Sequence, residues 1–142
     1  MFIVGNGVDI VENKRIEKSL KIKGFVNRIF TKQEINKSKK LSNKINYFSK
    51  RFAAKEAFVK AIGVGFRENI KFSDIEIIND KKGKPLVNIS FNIKNLIKKK
   101  FNLKKYKIFL SLSDEKKYSV AYVIINKQWL LKKFLKKTLK HW

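Results

Sequence analysis

The sequence predicts an α+β fold with mainly antiparallel sheet and packed helices. Two apolar hairpin patterns, turning at 79–85 and at 114–117, supply strands that pair with near neighbours in the chain. A stretch of good helix formers from Phe52 to Ile62 contains no breaker, and Gly63 is a natural helix end. At 142 residues and 44% hydrophobic content, the chain is long enough to be one domain with a buried core.

The N-terminal residues alternate between extended and turn patterns. Residues 2–4 are predicted as a short strand, 5–7 as a tight turn and 8–11 as further extended chain, with a helix over about 12–21. Asp9 then lies between apolar neighbours, so its carboxylate needs a cation, a metal or a capping role. The structural alternative is an N-cap for the helix that follows.

The middle of the chain carries clear start and stop signals. Thr31 and Glu34 have the spacing of a capping box, which predicts the first turn of a polar, lysine-rich helix. The alanine-containing helix should begin near residue 47. Residues 72–78 are predicted as a strand that pairs with 86–89.

The C-terminal third is predicted as a helix over 93–101 and a hairpin of 107–113 with 118–125. The tail from Gln128 to Trp142 has the pattern of a basic amphipathic helix, suited to an anionic membrane, an acidic partner or its own domain. The predicted division is a domain over 1–126 and an extension over 127–142.

Composition limits the functional classes. The net charge of +24 favours a polyanionic partner, and a basic module that binds polyanions is one alternative. However, only four of the 35 basic residues are arginines, and Asn, Ile and Phe, which also have A/T-rich codons, are frequent. The lysines are scattered through every segment, so nucleic acid is not the expected partner.

The chain has no cysteine, which excludes disulfides and cysteine-based zinc sites. No apolar run approaches the roughly 20 residues that cross a bilayer, and the N-terminus lacks the pattern of a signal peptide. We therefore expect a soluble, cytoplasmic protein.

The pair most suggestive of chemistry is Glu56 and Lys60, which lie one helical turn apart. Helical spacing puts them on the side of Phe52 and Gly63, away from the apolar positions near Phe58. The structural alternative is an exposed i, i+4 ion pair, which stabilises a helix by only about 0.2–0.5 kcal/mol.

Five groups of residues, taken in order, resemble the holo-acyl-carrier-protein synthase family. They are Gly5-x-Gly7-Val8-Asp9-Ile10 with Arg15-Ile16; Arg28-Ile29-Phe30-Thr31-x-x-Glu34; Arg51 to Gly65; Asp74-Ile75-Glu76 with Gly83-Lys84-Pro85; and Ser111-Leu112-Ser113 before Tyr118. The match runs from residue 2 to about residue 125.

The resemblance implies a transferase of fatty acid biosynthesis. Such an enzyme moves 4'-phosphopantetheine from coenzyme A to a serine of apo-acyl carrier protein and releases adenosine 3',5'-bisphosphate. It implies Mg²⁺ held by Asp9 and Glu56, whose hard oxygen ligands suit that ion. Glu56 and Lys60 would be catalytic: Lys60 would neutralise phosphate charge, while Glu56 would act as general base or orient a bound water or the serine.

The resemblance also assigns binding residues and partners. The residues matched to coenzyme A binding are Arg51, Lys60, Gly63, Gly65 and Ser113. Arg15 and Arg28 would dock the acidic acyl carrier protein, where complementary charge speeds association. The family implies a homotrimer with active sites between subunits.

Three departures from the family pattern are visible. Asp114 stands where the family often has histidine, Val64 replaces a usual threonine, and the tail extends beyond the family's compact length. Asp114 leaves open a further alternative, a catalytically impaired relative retained as a binding partner.

Overall fold

A computed structural model describes residues 2–67 and 69–128, and it confirms the α+β prediction. The strands and helices, in chain order, are β1 (Phe2–Glu12), α1 (Asn13–Leu20), α2 (Phe25–Ile29), α3 (Lys32–Ser38), α4 (Lys44–Ile62), β2 (Ile75–Asn79), β3 (Pro85–Ile89), α5 (Phe91–Lys100), β4 (Tyr106–Asp114) and β5 (Tyr118–Lys127). Within these ranges no helix has the length and apolarity that crossing a membrane requires. Of the amphipathic tail predicted from Gln128 to Trp142, residues 129–142 lie outside the described residues.

The sheet that positions the site is antiparallel, in the order β1-β5-β4, and β2-β3 forms a separate hairpin. Both predicted hairpins are confirmed. One face of the three-stranded sheet packs against α4, and on that face Ala121, Val123 and Ile125 are fully buried. Helix α4 therefore lies between the sheet and the shorter helices.

The opposite face of this sheet is apolar and exposed. Val8 lies opposite Tyr122 and Ile10 opposite Val120, so these side chains share the outer face. Val8, Ile10 and Tyr122 are 53%, 63% and 41% exposed. An open apolar cleft of about 410 Å³ on the sheet is lined by Ile3, Phe109, Leu110, Ser111, Tyr122 and Ile124.

The predicted turn at residues 5–7 is wrong, because β1 continues through both glycines. Their role is close packing: a Cβ on Gly5 would meet the carbonyl oxygen of Ala61, and one on Gly7 would meet that of Ala57. The glycines let the backbones of β1 and α4 touch. The pairing of β1 with β5 shifts register between Ile3 and Gly5.

Helix α4 begins three residues before the predicted start and ends as predicted. Gly63 takes a left-handed conformation with φ of 81°, and its N–H donates to the Val59 carbonyl at 3.0 Å. The predicted separation of the charged pair from the apolar positions is confirmed, since Lys60 is exposed and Glu56 half-buried, but the remainder of this part of α4 is covered and even Lys55 is fully buried. In the C-terminal half of α4 the side left uncovered is the one that carries Phe52, Glu56 and Lys60.

A buried ion pair joins α4 to the elements around it. Lys55 Nζ donates to Glu34 Oε2 and to the Ile29 carbonyl, each at 2.8 Å, and to the Phe72 carbonyl at 3.2 Å. The other Glu34 oxygen accepts the Ile77 N–H at 2.8 Å. Burial lowers the pKa of Lys55, while the Glu34 carboxylate opposes that shift.

Two other local predictions can be compared directly. The capping box is confirmed, since the Thr31 N–H donates to Glu34 Oε2 at 2.8 Å and the Glu34 N–H to Thr31 Oγ1 at 3.2 Å. The start of the predicted 72–78 strand is wrong: residues 72–74 form a 3-10 turn, in which Asp74 Oδ2 accepts the Lys71 N–H at 2.9 Å. Helix α2 was not predicted.

Candidate active site

The site is centred on an ion pair between β1 and α4. Lys60, in the last turn of α4, donates from Nζ to Asp9 Oδ1 at 2.8 Å and to the Val8 carbonyl at 3.0 Å. Asp9 lies on the sheet face that packs on α4, which Gly7 brings close to β1. The expectation that Asp9 has a cationic partner is confirmed. The alternative of an N-cap is wrong, because the N-cap of α1 is Glu12.

Glu56 lies one turn before Lys60 and is half-buried. Burial raises the pKa of Glu56 above its ordinary value, and the nearby Asp9 carboxylate adds to that effect. The Lys60 and Arg15 charges act in the opposite direction on this pKa. The ion pair that the structure gives to Lys60 is with Asp9, so a simple surface pair within α4 does not describe it.

The donor set fits a magnesium ion that also binds substrate. The carboxylates of Asp9 and Glu56 interact electrostatically. Within residues 2–67 and 69–128, no group of three or more acidic or histidine side chains could hold a metal ion. Mg²⁺ is commonly held by one or two carboxylates, with phosphate and water completing its shell. The chemistry of these residues therefore suits an ion bound together with a phosphorylated ligand.

The glycines after α4 leave backbone open to a ligand. Gly63 and Gly65 are exposed, with φ of 81° and 68°. A Cβ on Gly65 would meet nothing within 4 Å, and one on Gly63 would lie 3.4 Å from Lys100 Nζ. Both positions favour glycine because of their backbone conformation.

Arg51 is only 4% exposed, so it is not a surface arginine that is open to bind phosphate. Its guanidinium carbon lies 3.5 Å from the centre of the Tyr47 ring, and Nη2 donates to Asn79 Oδ1 at 2.9 Å. Asn79 Nδ2 in turn donates to the Gly83 carbonyl at 2.9 Å. Arg51 thus supports the loop between β2 and β3, and its contact with coenzyme A stays a prediction.

A polar pocket of about 360 Å³ lies beside this loop. Its lining residues come from α4, the end of β2, the β2–β3 loop, the start of β3, and β4: Lys50, Asn79, Gly83, Lys84, Pro85, Leu110, Ser111 and Leu112. Sequence reasoning gave no role to Lys50 or Asn79 and named Lys84 only within a motif. In the sequence, Lys50 could have been noticed only because it precedes Arg51, and a single lysine does not stand out in a chain so rich in lysine.

Asp114 lies at the end of β4, close to the pocket. Its Oδ1 accepts from Lys50 Nζ at 2.9 Å and its Oδ2 from Asn46 Nδ2 at 2.7 Å. Partial burial raises the pKa of Asp114, but the hydrogen bonds from Lys50 and Asn46 and the Lys50 charge outweigh it, so the pKa lies below its ordinary value.

The remaining predicted residues are spread around this centre. Arg15 lies on α1 and Arg28 on α2, both exposed, and the Arg15 charge reaches Glu56. Ser113 is exposed and lies opposite Val120, on the outer sheet face. The structure therefore brings Asp9, Glu56 and Lys60 together, and leaves Ser113 away from them on the face opposite α4.

Comparisons with known proteins agree on one family. A family model described as the 4'-phosphopantetheinyl transferase superfamily matches residues 5–123. The chain is 59% identical over 128 residues to a holo-[acyl-carrier-protein] synthase of Pelagibacter ubique, covering 90% of this chain and all of that protein.

Solved structures give the same result. A holo-(acyl-carrier-protein) synthase from Bacillus anthracis, in complex with CoA (3',5'-ADP), matches with a TM-score of 0.75 and 38% identity, over 90% of this chain and all of that one. The corresponding synthase from Neisseria meningitidis matches with a TM-score of 0.79 and 35% identity, over 89% of this chain and all of that one.

Proposed function

The chain belongs to the 4'-phosphopantetheinyl transferase superfamily, and we infer that it is a holo-[acyl-carrier-protein] synthase. It transfers 4'-phosphopantetheine from coenzyme A to a serine of apo-acyl carrier protein, and the products are holo-acyl carrier protein and adenosine 3',5'-bisphosphate. The observation that carries this proposal is the meeting of Lys60 with Asp9 at 2.8 Å beside the half-buried Glu56. A role in fatty acid biosynthesis and a cytoplasmic location are the corresponding expectations.

The reaction needs a base and a cation. The serine oxygen forms a bond to the β-phosphorus of coenzyme A, the bond to adenosine bisphosphate breaks, and the serine proton must leave. Glu56 suits the proton transfer, since its raised pKa makes its carboxylate a stronger base than an ordinary glutamate. Lys60, fixed by Asp9 and by the Val8 carbonyl, offers its remaining donor to phosphate oxygens.

We propose Asp9 and Glu56 as the residues that would hold Mg²⁺. The ion, when bound, supplies charge neutralisation on the phosphate oxygens. Gly63 and Gly65 would let the chain backbone lie against the pantetheine or the phosphates. Arg15 lies near enough to influence Glu56, so a carrier protein held by Arg15 and Arg28 would reach the site.

We further propose a homotrimer in which the outer face of the β1-β5-β4 sheet is covered by other copies of the chain. Val8, Ile10 and Tyr122 expose apolar surface there, beside the open apolar cleft. A contiguous apolar face of this kind is typical of an interface. Ser113 lies on this same face, so a neighbouring subunit would bring Ser113 to a shared site.

The decisive experiment is incubation of the protein with coenzyme A, Mg²⁺ and apo-acyl carrier protein, followed by mass spectrometry of the carrier. A mass gain of one phosphopantetheine is expected. Asp9→Asn and Glu56→Gln should each reduce the rate by at least about 100-fold, because each removes a carboxylate from the site. Coenzyme A binding without metal should change less.

The matched control is Glu12→Gln, which neutralises an exposed glutamate at the end of β1. This variant should transfer at the rate of the unchanged protein. Full activity in Asp9→Asn or Glu56→Gln would remove that residue from the proposed site. A folded protein without any transfer would contradict the function and favour an impaired relative.

A further inference from the structure

The polar pocket beside the β2–β3 loop is lined by two lysines, one of which is paired with a carboxylate. Lys50 and Lys84 both line it, so two basic side chains border any ligand that enters. The Asn79 side chain adds a polar group, which Arg51 and the Gly83 carbonyl hold in place. Such a lining suits an anionic group of a ligand.

One of these ammonium groups is already paired inside the protein. Lys50 Nζ contacts Asp114 Oδ1 at 2.9 Å, and the two side chains are 29% and 28% exposed. Asn46 holds the other Asp114 oxygen at 2.7 Å and also donates to the Glu115 carbonyl at 3.2 Å. The carboxylate is therefore fixed at the edge of the pocket, where it offsets one of the two positive charges.

The pair has little value as a source of stability. Ion pairs with this degree of exposure contribute weakly to folding, because water screens them and long side chains lose entropy on pairing. The electrostatic effect of the Lys50–Asp114 pair on a bound anion is larger than its effect on folding stability. A phosphate in the pocket would attract Lys50 and Lys84 but would be repelled by Asp114, which also occupies a Lys50 donor.

We propose that Asp114 is a counter-anion that competes with a phosphate group of coenzyme A for Lys50 and thereby weakens coenzyme A binding. This inference rests on the proposed function for the identity of the ligand. It predicts that removing one negative charge improves the site. The side chain of asparagine has the same shape as that of aspartate, so Asp114→Asn should retain the Asn46 contact and the fold.

The test is calorimetric titration of the Asp114→Asn variant with coenzyme A and with adenosine 3',5'-bisphosphate. The dissociation constants should fall by about threefold to tenfold, as expected for one charge at short range near the surface. Lys50→Met should raise them, and in a Lys50→Met background the gain from Asp114→Asn should shrink. Glu115→Gln is the matched control, since it removes the same charge from the next residue, and it should stay within about twofold.

Dephospho-coenzyme A separates the possible phosphate groups. A gain that disappears with this ligand assigns the 3'-phosphate to Lys50, and a gain that persists assigns the diphosphate. If Asp114→Asn binds no more tightly than Glu115→Gln, the inference is overturned. The transfer assay on the unchanged protein reports the proposed function separately: transfer without a gain in Asp114→Asn removes only the inference, whereas absence of transfer removes the function.

Discussion

Glu56 lies where burial and the Asp9 charge both favour a protonated carboxyl group. Its pKa in the folded protein is raised above the ordinary value of 4.5, so the folded state keeps a proton that the unfolded chain has released. The free energy of unfolding should therefore fall as pH rises from 4.5 through the raised pKa. This contribution to stability is complete only below the ordinary pKa.

Urea unfolding of the metal-free protein between about pH 4 and pH 7 measures this effect. Glu56→Gln should remove the part of the pH dependence that comes from this side chain. Glu12→Gln, at an exposed position, should retain it. If the free energy of unfolding depends on pH equally in the unchanged protein and in Glu56→Gln, Glu56 has the same pKa in the folded and unfolded states.

At the residue scale, the sequence predicted that a particular carboxylate needs a charged partner better than it predicted which residue that partner is. The apolar neighbours of Asp9 indicated that its carboxylate needs a counter-ion, and the structure supplies Lys60, which is 51 positions away. The contact between Lys50 and Asp114 was not predicted, because one lysine among so many has no distinguishing local pattern. Pairing depends on the packing of α4 against the sheet.

The Lys55–Glu34 pair binds α4 to several elements at once. Lys55→Met would leave the Glu34 carboxylate buried without its cation, which typically costs about 3–5 kcal/mol. The free energy of unfolding should fall by this amount in urea titration, and the protein should become more sensitive to heat.

Lys44→Met is the matched control for that variant. Lys44 is exposed in the first turn of the same helix, so its loss should change the free energy of unfolding by less than about 0.5 kcal/mol. A similar small change in Lys55→Met would show that the buried pair contributes nothing beyond its apolar packing.

At the element scale, helices and hairpins were predictable where the local pattern was strong. Gly63 and the Thr31 capping box fixed helix ends by their own chemistry. The errors arose where tertiary packing decided the outcome. Gly5 and Gly7 suggested a turn, although they serve the contact with α4.

The exposed apolar sheet face leads to a prediction about how copies of the chain assemble. Ile10→Lys would place an ammonium group on that face, at the edge strand β1, where an interface would have to bury it without a partner. The variant should shift from the proposed trimer to a monomer in analytical ultracentrifugation. Transfer activity should fall with it, since the shared sites would be lost.

Ile22→Lys provides the comparison. Ile22 is 59% exposed in the connection between α1 and α2, away from the sheet, and lysine there should leave the assembly intact. Two identical sedimentation profiles, both monomeric or both trimeric, would contradict the assignment of the sheet face as the interface. Family motifs in register predicted the overall fold, but their spacing says nothing about which surface stays uncovered in one subunit.

The contact between β1 and α4 also has a consequence for how this sequence can evolve. Glycine is encoded only by codons that begin with two guanines, so a genome drifting towards A and T cannot remove that signature without replacing the residue. At positions 5 and 7 a replacement would push a side chain into the α4 backbone. The packing of β1 on α4 therefore retains glycine, and with it two guanines, at both of these codons.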